Sequence, residues 1–498
     1  MRDFTERWPI GPLEKGIITA ALELGSLMGA LAAGVLADHC SRRISILVAC
    51  VVFCIGSTFQ FAAETLFQLT LGRAVGGLGV GALRYFLQLH VAIPELNRSS
   101  SMLAPLYMAE ISPPEVRGSL MALEQFAIVL GAVLGFWTGF FTRNVSGSSS
   151  WRIPLAIQLG PGILLAIGCL FLPPSPRLLV MQGRTEEALS ALATLRRRSP
   201  EESISDPLLQ IELLEMKTEA ALIARAGTGS ERDLREFEGG LLRAEARRWM
   251  RLFGRKYLKR TAIGIMMMFF QQWSGINALL YYGPTLMHSI GLQGDIVTLM
   301  VSGGIGIVQF LAVLPAIIFI DRSGRKTLLR GGSVVMAFSH FCIAVLIWQY
   351  EDSWASHSLA AWISVGCVYL FTAAYGTSYG PIGWILPSEV FPLSVRSKGV
   401  SLSTASNWLN NFLIGLIVPG LVEFSASGTF LVFATACFCG YLWSTYTVPE
   451  TANVSLEEID AVFGSSAGQE DALLKQQIEE ELGLHNLVQQ WGLSTIRE

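Results

Sequence analysis

Four side-chain amides lie inside stretches that are otherwise apolar: Gln125, and the group Gln271, Gln272 and Asn277. An amide offers two donors and two acceptor lone pairs and carries no charge. That suits it to hold a neutral, hydroxyl-rich solute rather than to attack one. In hydrocarbon an unpartnered amide is costly, so several on facing helices read as a binding site. At about 100° per residue, Gln272 and Asn277 on a regular helix point about 140° apart. They converge only if the helix breaks between them, and Ser274-Gly275 can supply that break.

A second pattern is made of charges. Asp38 with Arg42 echoes Asp321 with Arg325, and Glu110 with Arg117 echoes Glu389 with Arg396. Each acid falls at a predicted helix end and each guanidinium in the following turn. A lone surface ion pair contributes little. Pairs at matching places in two halves of a chain can lock those halves together and release them, which is how a gate is built. No nucleophile–base set stands out, so no enzyme is expected. Gly76-Gly-Leu-Gly-Val-Gly81 has the look of a nucleotide motif but lies in an apolar span. Eight cysteines with no CxxC pair argue against a disulfide scaffold or a zinc site, and neither metal nor cofactor is expected.

These residues need helices to carry them, and composition says which solvent those helices meet. Of 498 residues, 51% are hydrophobic and only 15% charged, against about 25% charged in soluble chains. Too little charge remains to cover a soluble globule of this length. A net charge of −3 gives no sign of a nucleic-acid partner. Stretches long enough to cross a bilayer lie near 16–37, 44–65, 67–110, 119–141, 152–172, 260–286, 296–320, 328–349, 359–387, 399–422 and 427–448. An all-α, multi-pass membrane protein with about eleven spans follows. Glu23, among Gly25, Gly29, Ala30 and Gly34, reads as part of a helix–helix contact face. Lys and Arg cluster after every second span, which puts 173–258 and the C-terminal tail in the cytoplasm. The expected division is 1–172, an N-terminal helical half; 173–258, a cytoplasmic linker with amphipathic helices; 259–448, a six-helix half; and 449–498, a cytoplasmic tail.

The chain resembles the sugar porter family of the major facilitator superfamily, most closely its fungal members. The resemblance rests on Gly72-Arg73-Ala-Val-Gly-Gly-Leu-Gly-Val-Gly81, Pro173-Pro-Ser-Pro-Arg177, Gln271-Gln272-Trp-Ser-Gly-Ile-Asn277-Ala-Leu-Leu-Tyr281-Tyr282, Gly380-Pro-Ile-Gly-Trp384 and Pro449-Glu450-Thr451. It implies two six-helix halves, alternating access and a monosaccharide or polyol as substrate, carried by a monomer among lipids in the plasma membrane. It implies Gln125, Gln271, Gln272 and Asn277 as sugar contacts, joined by Gln309, Trp384, Asn407 and Asn411. Trp273 and Trp408 read as packing residues. By the resemblance, Arg73 matches the arginine that faces a titrating carboxylate in proton-driven relatives, and that acid is expected to belong to a first helix missing from the sequence given. Symport with H+ and facilitated diffusion both stay open.

Departures from the family pattern lower some of these expectations. Ala132 and Gly376 stand where relatives carry a glutamine and a glutamate, Ser41 replaces a glycine, and Pro174 replaces a glutamate. Leu71 to Pro113 would make a helix of roughly 65 Å, twice a membrane, with polar Pro94–Ser101 in its middle. Residues 85–101 are therefore expected to be a retained intron, with Met1 an internal methionine after an absent first helix. A quinate- or inositol-type carrier, or a sensor or inactive remnant, are the alternatives.

Overall fold

The computed structural model describes residues 2–39, 42–91, 117–171, 176–196, 206–227, 246–247, 249–292, 294–392, 394–451, 463, 467–484 and 487. Every regular element among them is helical. After a short helix α1 (Arg2–Arg7) come α2 (Pro12–His39), α3 (Arg42–Phe61), α4 (Leu66–Val91), α5 (Arg117–Thr142), α6 (Ser149–Ile157) and α7 (Leu159–Phe171). The polar interval forms α8 (Pro176–Met181), α9 (Thr185–Leu195) and α10 (Pro207–Gly227). The second run of spans is α11 (Leu258–Trp273), α12 (Ile276–Ser289), α13 (Asp295–Ser323), α14 (Arg325–Tyr350), α15 (Ser358–Thr377), α16 (Tyr379–Val390), α17 (Arg396–Phe424) and α18 (Ala426–Tyr446), and α19 (Ala467–Glu481) lies in the tail.

Ten helical stretches among the described residues are long and apolar enough to cross a membrane. The eleventh expected span, near 260–286, is present as α11 and α12, two helices separated at Gly275. Large apolar side chains on the outer faces, such as Phe171, Trp348 and Phe424, are more than three-quarters exposed, as befits surfaces whose solvent is lipid. Residues 92–116, and with them most of the segment 85–101 and Glu110, lie outside the described residues. So do the side chains of Asp38, Arg42, Arg117 and Asp321.

Glycine spacing sets how closely the first spans pack. A Cβ on Gly25 would stand 2.1 Å from the Ala74 carbonyl oxygen, and one on Gly81 would stand 1.9 Å from that of Ser26. Helices α2 and α4 thus touch backbone to backbone, which explains Gly77 and Gly81, while Gly72, Gly76 and Gly79 of the same motif face α3. Where lipid is as apolar as leucine, close approach of this kind is what holds helices together. Two seams join the first run of spans to the second: α2 against α17, and α5 against α13. The second run has a continuous core that includes Met267, Phe371, Tyr379 and Phe430.

The interval helices form a small bundle of their own. Leu179, Ala188, Ala191 and Leu213 supply its core, and Arg196 pairs with Glu212 at 3.1 Å beside it. Tail helix α19 is tied to this bundle by Arg225–Glu481, and to the base of the spans by Lys256–Glu470 and by Asp471, which accepts the Ser394 amide.

Candidate functional site

The seams between the two runs of spans enclose a cavity of about 310 Å³, the size of a small-molecule site (about 300–1,000 Å³). A larger groove between α3 and α7 is walled almost entirely by apolar side chains and offers little to recognise a polar solute. All eight residues named from the sequence, Gln125, Gln271, Gln272, Asn277, Gln309, Trp384, Asn407 and Asn411, line the smaller cavity. Arg73 and Ala132 line it too, as does Trp408, which the sequence placed in packing. Trp273 lies outside it, stacked on Phe269 and donating from Nε1 to Asn410 at 3.0 Å.

The break predicted at Ser274-Gly275 is what brings the amides together. Helix α11 ends at Trp273, and Gly275 takes φ +96°, a left-handed conformation that glycine adopts without strain. Helix α12 restarts at Ile276, and Asn277 Nδ2 then reaches Gln272 Oε1. The same Nδ2 also donates to Asn411 Oδ1 at 2.9 Å. Below the break, His340 Nε2 lies 2.9 Å from the freed Ser274 carbonyl. His340 is fully buried among Phe371, Phe430 and Phe433. Nothing local in the sequence marks this histidine as the partner of a carbonyl 66 residues away.

Gln271 is held on both ends. Its Nε2 donates to the carbonyls of Tyr379 (2.9 Å) and Gly380 (3.3 Å), where α15 gives way to α16, and its Oε1 accepts from Asn407 Nδ2 at 2.8 Å. Gly383 is required by this contact, since a Cβ there would stand 2.2 Å from Gln271 Nε2. That accounts for the glycine preceding Trp384 in the Gly380–Trp384 motif. At Gly376 a Cβ would meet Ala312 at 2.9 Å, so this position has no room for a longer side chain.

Two amides behave differently. Gln125 Oε1 and Gln309 Oε1 are buried and have no hydrogen-bond partner within the protein. Gln125 comes from α5 in the first run of spans and Gln309 from α13 in the second. Unsatisfied buried acceptors are rare in folded proteins and call for an explanation. Both residues line the same cavity.

Glu23, expected on a helix contact face, lines the cavity wall as well. Its carboxylate accepts from Tyr281 Oη and Asn411 Nδ2.

Of the charged residues in the two echoes, Arg325, Glu389 and Arg396 lie at helix ends in the second run: the start of α14, the end of α16 and the start of α17. Arg325 Nη2 meets Glu389 Oε1 at 3.0 Å, and Glu389 Oε2 accepts the Thr451 hydroxyl at 2.6 Å. Glu450 accepts the backbone amides of Arg325 and Lys326 at the start of α14, as suits an acid at a helix N-terminus. Arg396 Nε donates to the Phe391 carbonyl at 3.1 Å. Arg325 and Glu389 thus form a pair that links the two sequence echoes.

Comparisons with known proteins agree with this geometry. The family model described as "Sugar (and other) transporter" matches residues 11–92 and 99–463. The low-affinity glucose transporter HXT1 of Saccharomyces cerevisiae is 30% identical over 466 residues, covering 91% of this chain and 74% of the relative. The glucose transporter mfs1 of Aspergillus flavus is 30% identical, covering 91% of this chain and 82% of its own. Among solved structures, the proton:xylose symporter XylE bound to 6-bromo-6-deoxy-D-glucose superposes with a TM-score of 0.67 at 24% identity, covering 90% of this chain and 88% of that one. At that identity the likeness speaks for the fold.

Proposed function

The chain belongs to the sugar transporter family of the major facilitator superfamily, and from that premise we propose that it carries a neutral monosaccharide or polyol by alternating access. The substrate sits in the cavity lined by the eight residues above. The observation that carries this reading is the pair of buried, unpartnered acceptors on Gln125 and Gln309. They reach one cavity from opposite runs of spans, so a solute that donates to both ties the two halves together. The Trp384 and Trp408 indoles supply apolar faces for the C–H surface of a sugar ring. The names of the relatives, several of them glucose transporters, favour a hexose.

Movement follows from the division into 1–172 and 259–448. These halves rock about the cavity, with 173–258 and the tail 449–498 on the cytoplasmic face of the plasma membrane. Arg325, Glu389 and Arg396 act at the inner gate together with Asp38, Arg42, Glu110, Arg117 and Asp321. Arg73 is the cation available for coupling to H+.

Uptake of labelled glucose, fructose, xylose and inositol by cells without their own hexose carriers tests this. Expression of the chain is expected to confer saturable uptake of at least one of them. Gln125→Ala and Gln309→Ala should each raise its KM about three- to tenfold at unchanged surface expression. No uptake of any of these solutes, with the protein at the cell surface, would overturn the reading.

A further inference from the structure

One anionic group sits among the amides. Glu23, in α2, is 3% exposed and lines the cavity. Its Oε1 accepts the Tyr281 hydroxyl at 2.9 Å and its Oε2 accepts Asn411 Nδ2 at 2.8 Å. Tyr281 stands in α12 and Asn411 in α17, so both donors belong to the second run of spans and the acceptor to the first. Asn411 in turn bonds to Asn277, and Asn277 to Gln272. The carboxylate thus closes one end of a hydrogen-bonded chain that runs through the proposed sugar contacts. Arg73 supplies the opposite charge within the same cavity. A buried carboxylate needs such donors and counter-charge to remain ionised.

An ionised carboxylate accepts hydrogen bonds and donates none. Among the described residues of the cavity wall, the amides and Tyr281 can turn to do either, whereas the Arg73 and indole groups only donate. Glu23 is therefore the side chain here that can insist on a donor. We propose that Glu23 is a specificity-determining residue. In the empty cavity it holds the two runs of spans together through Tyr281 and Asn411, and on binding it exchanges one of those donors for a hydroxyl of the substrate. This rests on the sugar-carrier reading above. It adds that one particular hydroxyl must donate, and that an anionic sugar acid is repelled by the carboxylate.

Fluorine in place of a hydroxyl keeps the size and removes the donor. The purified full-length chain is titrated with D-glucose and with its 2-, 3-, 4- and 6-deoxyfluoro derivatives, read by quenching of tryptophan fluorescence, since Trp384 and Trp408 line the cavity. One fluoro isomer is expected to bind about tenfold or more weakly than glucose, the loss of a hydrogen bond to a charged group. In Glu23→Gln, whose amide can present either face, that isomer and glucose should bind within about threefold of each other. An isomer ranking unchanged in Glu23→Gln would overturn the assignment. Should that variant fail to elute as a single species, Glu23→Asp keeps the acceptor character and must keep the wild-type ranking at weaker affinity; a changed ranking there also overturns it. If the wild-type chain binds none of the five sugars, the assignment of a donating sugar hydroxyl to Glu23 is overturned, and uptake of fructose, xylose and inositol decides the carrier reading separately.

Discussion

Asn407 Nδ2 donates to Gln271 Oε1 at 2.8 Å, and this bond fixes a side chain whose other end is already bound to the carbonyls of Tyr379 and Gly380. Gln271 is therefore a strut joining α11, α16 and α17, whereas Gln125 and Gln309, which also line the cavity, each keep an acceptor that no protein group satisfies. The two kinds of amide should fail differently. Gln271→Ala leaves buried groups unpaired and is expected to cost about 1–3 kcal/mol of stability. Gln125→Ala and Gln309→Ala remove an unpaired acceptor and should leave the melting temperature within a few degrees of wild type while weakening sugar binding. Thermal unfolding of the purified variants alongside uptake separates the two effects. Equal melting temperatures for all three would contradict the division.

Gly275 carries a second expectation. A side chain there faces a left-handed backbone, φ +96°, and the Phe433 ring at 2.9 Å from the added Cβ. Gly275→Ala should lower stability, about 1–2 kcal/mol of which comes from the backbone alone. It should also displace Asn277 from Gln272 and so reduce uptake. Adding Phe433→Leu relieves the clash but not the backbone strain, so recovery should be partial. Full recovery of uptake in the double variant would show that the left-handed turn is dispensable.

How much of this was legible beforehand differs residue by residue. The family resemblance named eight residues that all line one cavity, and the 140° disagreement between Gln272 and Asn277 points to the break at Gly275. That argument works because helical geometry is local. Glu23 was read as part of a contact face because its partners, Tyr281 and Asn411, lie 258 and 388 residues away. The echoing acid–guanidinium motifs carry no sign that Arg325 reaches Glu389, 64 residues on, because that contact depends on the end of α16 folding back beside the start of α14. Which amides are satisfied inside the protein and which are left open is likewise a property of packing, and composition and spacing carry no trace of it.

The Arg325–Glu389 pair is mostly buried, with side chains 6% and 15% exposed. Removing one partner strands the other, so Arg325→Met and Glu389→Leu should each cost about 3–5 kcal/mol. The double variant removes both charges and should be less destabilised than the sum of the two. A double-mutant cycle by thermal unfolding measures this. Strict additivity would mean that the two side chains do not interact.

At the tail, hydrogen bonding to Arg225 holds the Glu481 carboxyl below its usual pKa. A carboxyl lowered in the folded state adds stability above its unfolded pKa of about 4.3 and loses it as pH falls through the lower folded value. Docking of α19 on α10 should therefore be intact near neutral pH and weaken only below about pH 4.3. Both side chains are about half exposed to solvent, so added salt should loosen the contact at neutral pH as well. Hydrogen exchange across Pro207–Gly227 reports it. Protection that is independent of salt would show that apolar contacts alone dock the tail.

The central claim is that a sugar bridges Gln125 and Gln309 across the cavity between the two runs of spans. A structure of the full chain in lipid nanodiscs, determined with saturating D-glucose, tests it most directly. The account predicts one sugar in the cavity, with hydroxyls within about 3.2 Å of both Gln125 Oε1 and Gln309 Oε1. Glucose bound elsewhere, or held by one half alone with the other amide turned away, would contradict it.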